Sequence, residues 1–170
     1  MKDLPPRYAQ RINDINFIGV VCVVLRLNRS FSEYYWLNVN DPRVHFNSCI
    51  EYTRLIAEIT GDGSTLLYMP HTSPRFDFPD EQTIDDTLYA LEKINPEFSR
   101  DWVLDVHLAR DRYAQVICKT GFGLLLPPHK TPIDGLYLVE SSQLYPSDRT
   151  VSGTLELVSN VARMIGPAES

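Results

Sequence analysis

Asn16-Phe-Ile-Gly-Val-Val-Cys-Val-Val-Leu-Arg-Leu27 is the stretch on which the fold turns. It is β-branched and almost continuously apolar, the pattern of a central strand buried on both faces. Its apolar run, Phe17 to Leu25, is about nine residues, far short of the roughly 20 that span a bilayer as a helix. Asn28 to Ser32 reads as a turn. The aromatic run Tyr34 to Val39 (YYWLNV) follows as a second strand, expected to pair antiparallel with the first and to break at Asn40-Asp41-Pro42.

Working outward, residues 1–15 form a polar lead-in, with one short helix expected over Tyr8 to Ile15. His45 to Glu58 suits a strand or a short helix equally. Gly61-Asp62-Gly63-Ser64 is a turn, Thr65 to Met69 a strand ended by Pro70, and His71 to Pro79 a proline-rich loop. Asp80 to Ile94 is the clearest helix. Ile84, Leu88, Leu91 and Ile94 make one apolar face, Asp80, Glu81, Asp85 and Asp86 favour its N-terminal half, and Pro96 follows it.

Trp102 to Ala109 alternates apolar and polar residues as a half-exposed strand, which Ala114 to Cys118 continues past a bend. Gly121 to Pro128 is a loop, Gly135 to Glu140 a last strand, and Val151 to Ile165 a helix with Leu155, Val158, Ala162 and Ile165 on one face. Strands, a helix, more strands and a terminal helix define an α+β fold: a mixed, largely antiparallel sheet with a central and a C-terminal helix. At 170 residues the whole chain, 1–170, is expected to be a single domain.

Composition narrows function. Apolar residues are 44% and charged residues 22%, ordinary globular usage. A net charge of -6 with no basic run argues against nucleic acid or an anionic membrane as partner. No apolar stretch precedes Phe17, so no signal peptide is read and the cytoplasm is the expected address. Cys22, Cys49 and Cys118, odd in number and widely spaced, fit a reducing compartment. His45, His71, His107 and His129 include no i, i+4 pair and there is no Cys-x-x-Cys, so no metal site is expected. Gly61-x-Gly63 and Gly121-x-Gly123 each lack the third glycine of a dinucleotide-binding turn, and no Gly-x-Ser-x-Gly occurs. The remaining polar and aromatic residues that follow strands are Trp36 and Asn38, then His107, Arg110, Tyr113 and Gln115, then Tyr145, Asp148 and Arg149. Such a set could line a small-molecule pocket or simply a solvated sheet edge.

Several segments, read in order, carry a resemblance. They are Phe17 to Leu27, Tyr34 to Pro42, Lys93-Ile-Asn-Pro-Glu-Phe98, Tyr113-Ala-Gln115, Thr131 to Leu138 with Gln143, and Tyr145-Pro-Ser-Asp-Arg149. Together they resemble the C-terminal, substrate-domain part of FAD-dependent oxidoreductases of the amine oxidase, protoporphyrinogen oxidase and UDP-galactopyranose-mutase-like group. The resemblance spans roughly residues 10–165. It implies a substrate-binding sheet, a strand over 135–138 returning to the FAD domain, and a final helix, 151–165, whose N-terminus approaches the cofactor. It implies that Tyr113 and Gln115 face the pocket in front of the flavin ring and that Tyr145 to Arg149 lie near the flavin. From position and residue type, Trp36, Asn38, Arg110, Gln115, Tyr145 and Arg149 are the expected substrate-binding set, and His107 and Tyr113 the candidates for acid–base work. If FAD binds, Asp148, Thr150 and Gly153 would meet it.

Departures accompany the likeness. The strand, glycine-rich turn and helix that hold the ADP moiety in the family are not in this sequence. Thr150 stands where a glycine is expected, and Glu140 would place a negative charge near an anionic cofactor. The expectation is a truncated or split relative that is no flavoenzyme alone and takes FAD only where a partner supplies the dinucleotide-binding half. A split relative would expose apolar surface between Gly135 and Ile165. The other readings are a cofactor-free ligand-binding or enzymatic domain, and a homodimeric interaction module without catalysis.

Overall fold

The computed structural model describes residues 4–72 and 75–166; residues 73 and 74 of the proline-rich loop lie outside them. The chain divides into two compact units, Phe17–Gln115 and Met1–Asn16 with Val116–Ser170.

The first unit is a five-stranded sheet with a helix on one face. Strand β1 (Phe17–Leu27) pairs antiparallel with β4 (Thr65–Thr72) over eight residue pairs, Val20 opposite Thr72 through Leu27 opposite Thr65. The sheet order is β2-β3-β4-β1-β5, with β2 Trp36–Asn38, β3 Ser48–Glu51 and β5 Val103–Val116. Helix α2 (Asp80–Ile94) has the bounds its periodicity predicts. Its Leu88, Ala90 and Leu91 are buried, and Ile84 and Ile94 pack at the margin of the core. They meet Val23, Leu25, Leu27, Leu67 and Met69 from the sheet.

Four sequence expectations change in this unit. Strand β1 is not buried on both faces: Val21, Val23, Leu25 and Leu27 are fully enclosed, whereas Cys22 and Val24 are half-buried and Arg26 is exposed. An antiparallel sheet covered on one side needs only one closed face, and its β-branched residues serve strand formation on the other. The Tyr34 to Val39 run does not pair with β1. It shortens to β2 and pairs antiparallel with β3, Trp36 opposite Ile50 and Asn38 opposite Ser48, because β4 and β5 already flank β1. Strand β4 runs through Pro70, which sits opposite Cys22; the β3–β4 pairing, at Ile50–Tyr68 and Glu51–Leu67, does not reach the residue that lacks an N–H. Strand β5 runs unbroken from 103 to 116, with no bend after Ala109.

The loop after β1 is tied down by a buried acid. Glu51 accepts from the Phe31 and Ser32 amides at 3.0 and 2.9 Å, from Ser30 Oγ at 2.7 Å and from Arg54 Nε at 3.1 Å. A buried carboxylate is tolerable only when its oxygens are met in this way. Between β4 and α2, Thr87 Oγ1 donates to Thr83 O at 2.6 Å, which leaves it to accept from His71 Nε2 at 3.0 Å.

The second unit holds α1 (Pro6–Asn13), α3 (Phe122–Leu125), a 3-10 turn at Ser141–Leu144, and α4 (Val151–Ile165). Tyr8 of α1 is buried and donates through its hydroxyl to Pro128 O at 2.8 Å. Helix α3 forms inside what reads as a loop. The strand expected over Gly135 to Glu140 is not a strand. It makes one isolated bridge, Lys130 to Tyr137, with Leu138 N–H bonded to His129 O at 2.8 Å. A strand exists by its pairing, and only the short 129–131 segment lies alongside it.

Gly19 has a packing reason. A Cβ there would lie 2.6 Å from Phe76 Cδ2 and 3.3 Å from Asp111 O. Phe76 is itself held by the Arg112 guanidinium, 4.6 Å from its ring centre. Gly19→Ala is therefore expected to destabilise the protein by about 1–3 kcal/mol, the usual cost of overpacking. Urea titration should show a lower midpoint at unchanged slope; an unchanged midpoint would show that Phe76 yields freely.

Candidate functional site

The face of the sheet turned away from α2 carries a recess of about 350 Å³, lined by Cys22, Tyr35, Ile50, Tyr52, Tyr68 and Pro70. The register explains the lining. Ile50 lies opposite both Trp36 and Tyr68, and Tyr68 opposite Val24, so one row of side chains crosses four strands on the uncovered face. The Tyr52 and Tyr68 rings meet edge to face at 6.0 Å, and Tyr35 and Trp36 at 6.2 Å. The resulting wall is aromatic, and three of its residues, Tyr35, Tyr52 and Tyr68, carry a phenol hydroxyl. Chemically, an aromatic wall of this kind offers apolar contact area with a few polar groups beside it.

The residues singled out from sequence fall into separate groups. Trp36 and Asn38 meet at the edge of this wall, the indole Nε1 donating to Asn38 Oδ1 at 2.9 Å. His107 is exposed and alternates with Val106 and Leu108, which pack on the core, so it faces the uncovered side without lining the recess. Tyr113 is exposed, its ring edge-to-face with Phe17 at 5.6 Å. Gln115 is exposed near the end of β5. Arg110 spends its donors on the segment leading into α2: Phe76 O at 3.0 Å, Phe78 O at 2.7 Å, and the Asp80 carboxylate.

In the second unit, Tyr145 lies edge-on to Phe122 at 5.2 Å and precedes a cis peptide bond to Pro146. Asp148 Oδ1 accepts the Arg149 amide at 2.9 Å, and Arg149 Nη1 donates to Ser141 Oγ at 3.2 Å. Thr150 is the N-cap of α4 and accepts from Gly153 N–H at 3.0 Å. Arg149 and Thr150 share a recess of about 360 Å³ with Ser141, Val151, Thr154 and Leu155. Sequence reasoning missed Ser141, Thr154, Tyr35, Tyr52 and Tyr68. The tyrosines had a signal in Tyr68, which alternates with Leu67 and Met69 and so had to face away from the core.

These residues do not fit FAD unaided. The space that Gly153 leaves by lacking a side chain is taken within the chain: a Cβ there would stand 3.0 Å from Thr150 Oγ1 and 3.5 Å from the Leu144 methyls. Glu140 turns its carboxylate onto Ser142 N–H at 3.0 Å and its own N–H onto Gln143 Oε1 at 2.8 Å, a capping box that serves the following turn. No strand–glycine-turn–helix occurs among the described residues to hold a dinucleotide. They also contain no cluster of three or more metal-ligating side chains, and no helix long and apolar enough to cross a membrane.

A half-covered antiparallel sheet with helices beside it defines an α+β fold. No protein-family model matches the chain, and no curated protein matches it at a significant level. Among solved structures it is similar to an oxidoreductase from Methanosarcina mazei, at 18% identity and a TM-score of 0.66, over 95% of this chain and 38% of that one. It is similar to a protein assigned as a protoporphyrinogen oxidase from Exiguobacterium sp. 255-15, at 14% identity and a TM-score of 0.59, over 68% of this chain and 27% of that one. Reduced UDP-galactopyranose mutase matches at 7% identity and a TM-score of 0.50, over 87% of this chain and 28% of that one. The chain therefore has the fold of one part of larger oxidoreductase-type proteins and spans 27–38% of their length. The likeness that the sequence carries thus stands at the level of the fold.

The thiols report on this geometry. Burial pushes the Cys49 thiol up to about 12 and raises that of Cys22 above its ordinary value, whereas Cys118 is exposed. The thiolate is the reactive form. Iodoacetamide at pH 8 should label native Cys118 first, Cys22 slowly and Cys49 not at all, as read by peptide mass spectrometry. Cys49 reacting as fast as Cys118 would mean that the core opens readily.

Proposed function

We propose that this chain is a truncated or split relative of an FAD-dependent amine-oxidase-like oxidoreductase, and that it contributes the small-molecule pocket. The observation that carries the reading is the unpartnered face of α4. Val151 is 80% exposed and Leu155 64%, with Val158, Met164 and Ile165 also exposed, and only Val161 of this helix is buried. Leu136 and Tyr145 extend the exposed apolar surface. Surfaces of this kind are normally covered by a partner. The dinucleotide-binding half is the partner that the 27–38% coverage of the similar chains suggests. In this reading the aromatic recess of the sheet holds the apolar part of the substrate, and Trp36 with Asn38 form its polar rim. His107 and Tyr113 remain the candidates for proton transfer in the assembled enzyme. Three free thiols suit a cytoplasmic setting.

A second reading rests on the closed cap at Thr150 and Gly153, which leaves no cradle for a cofactor. The domain would then bind its ligand without redox chemistry, as a cofactor-free domain or a homodimer joined through α4.

Equilibrium dialysis against FAD, followed by a visible spectrum, should leave the isolated chain colourless. Retained flavin bands would overturn the need for a second half. The α4 face has its own check. Leu155→Asp with Val158→Asp should leave the melting temperature within about 2 °C of the parent, because exposed positions contribute little. The same pair should reduce self-association in sedimentation velocity. A melting temperature lowered by about 5 °C or more would show that the chain covers this face itself.

A further inference from the structure

A third recess, of about 350 Å³, lies within the second unit and has α1 as one wall. Pro5, Arg7, Tyr8, Arg11, Pro128 and Pro132 line it. None of the residues singled out from sequence is among them.

The apolar walls are held before any ligand arrives. Tyr8 is buried, and its hydroxyl donates to Pro128 O at 2.8 Å, which ties α1 to the 127–132 segment. Gln143 Nε2 donates to Pro127 O at 2.9 Å and Thr131 Oγ1 to Leu136 O at 2.8 Å, so that segment is fixed on both sides of Pro128. Proline side chains have almost no rotamer freedom to lose. A ligand lying on Pro5, Pro128 and Pro132 therefore has little to order.

The charge sits on the helix. Arg7 and Arg11 stand four residues apart, about 6 Å along the axis, and so share one face. Neither pairs with a carboxylate among the described residues; Arg11 Nη2 lies 3.5 Å from Leu124 O. Asp14, the acid that follows, takes Gln10 Nε2 at 2.7 Å. Elsewhere in this chain of net charge -6, Arg26, Arg43, Arg54, Arg100, Arg110 and Arg112 each face a carboxylate.

The pair also works against its own helix. Like charges at i, i+4 repel, and α1 has no acid in its first turn, where Arg7 opposes the helix dipole. Local choices that work against the fold are expected at functional sites. An anion between the two guanidinium groups would cancel both costs. One carboxylate fills a single guanidinium fork. Two forks suit a group of about two negative charges with three acceptor oxygens, which is a phosphomonoester.

We propose that this recess binds a small phosphomonoester, its phosphate between Arg7 and Arg11 and its apolar body on Pro5, Pro128 and Pro132. None of this lining takes part in the proposed function, so failure here leaves that reading untouched.

The probe is phenyl phosphate at pH 8, where the phosphate is doubly charged. Inorganic phosphate lacks the ring, and benzoate lacks the second charge. Binding is followed by amide shifts in two-dimensional NMR of the full chain. Phenyl phosphate should shift residues 7–11 together with 129–133 and bind about tenfold tighter than either comparator, the scale of one added contact. Arg7→Gln and Arg11→Gln should each weaken it about tenfold. Arg7→Glu should abolish binding and leave the melting temperature unchanged or raised, because the first turn then carries an anion. No shift at 7–11 and 129–133 with millimolar phenyl phosphate overturns the proposal. So does inorganic phosphate or benzoate binding as tightly, or an affinity that survives both glutamine substitutions. A melting temperature lowered by Arg7→Glu would make Arg7 a structural contact and overturn it as well. A phosphotyrosine peptide that binds more tightly than phenyl phosphate would move the site to a protein partner and overturn the small-molecule class.

Discussion

The first unit depends on one column of side chains. Val21, Val23, Leu25 and Leu27 share the inner face of β1, each almost wholly excluded from water, and Val23, Leu25 and Leu27 join Leu88 and Leu91 from α2 in one core cluster. Everything else in the unit is placed by that column. It fixes which face of β1 is inner, and the register with β4 then fixes Leu67 and Met69 as inner and Tyr68 as outer. The pairing of β3 with β4 passes the same choice to Ile50, and β2 passes it to Trp36. The aromatic wall is thus a by-product of the core: four strands with inward aliphatic residues necessarily set another row on the outside, and here that row is tyrosine, isoleucine and tryptophan.

Polar anchors complete what packing leaves loose. Glu51 gathers the chain at 30–32 and Arg54 around one buried carboxylate, while Arg110 gathers 76–80 onto β5. Both act on irregular segments, where backbone amides and carbonyls lack ladder partners and a side chain must supply them. A group read from sequence as a ligand contact can therefore be consumed in holding its own fold, as the donors of Arg110 are.

Local patterns were legible and pairings were not. The bounds of α2 and α4 and the existence of β1 follow from spacing and capping that a short window contains. The partner of Tyr34 to Val39 depends on competition among strands far apart in sequence, which no window shows. Residues 135–140 have strand composition but too little beside them to pair with. For the site, Trp36 with Asn38 and Arg149 with Thr150 were legible because each pair is local. Tyr35, Tyr52 and Tyr68 required the register.

The strand order has a consequence for biosynthesis. Strand β1 is the first element of the sheet to leave the ribosome, yet its neighbours are β4, about 40 residues later, and β5, later still. Until they emerge, Phe17 to Leu25 is an uncharged, proline-free β-forming segment with both edges open, the type that associates with copies of itself. Such non-local closure also makes folding slow relative to a helical protein of similar size. The span of chain between β1 and β4 therefore sets how long the β4 edge of this segment stays open before residues 65–72 can pair with it.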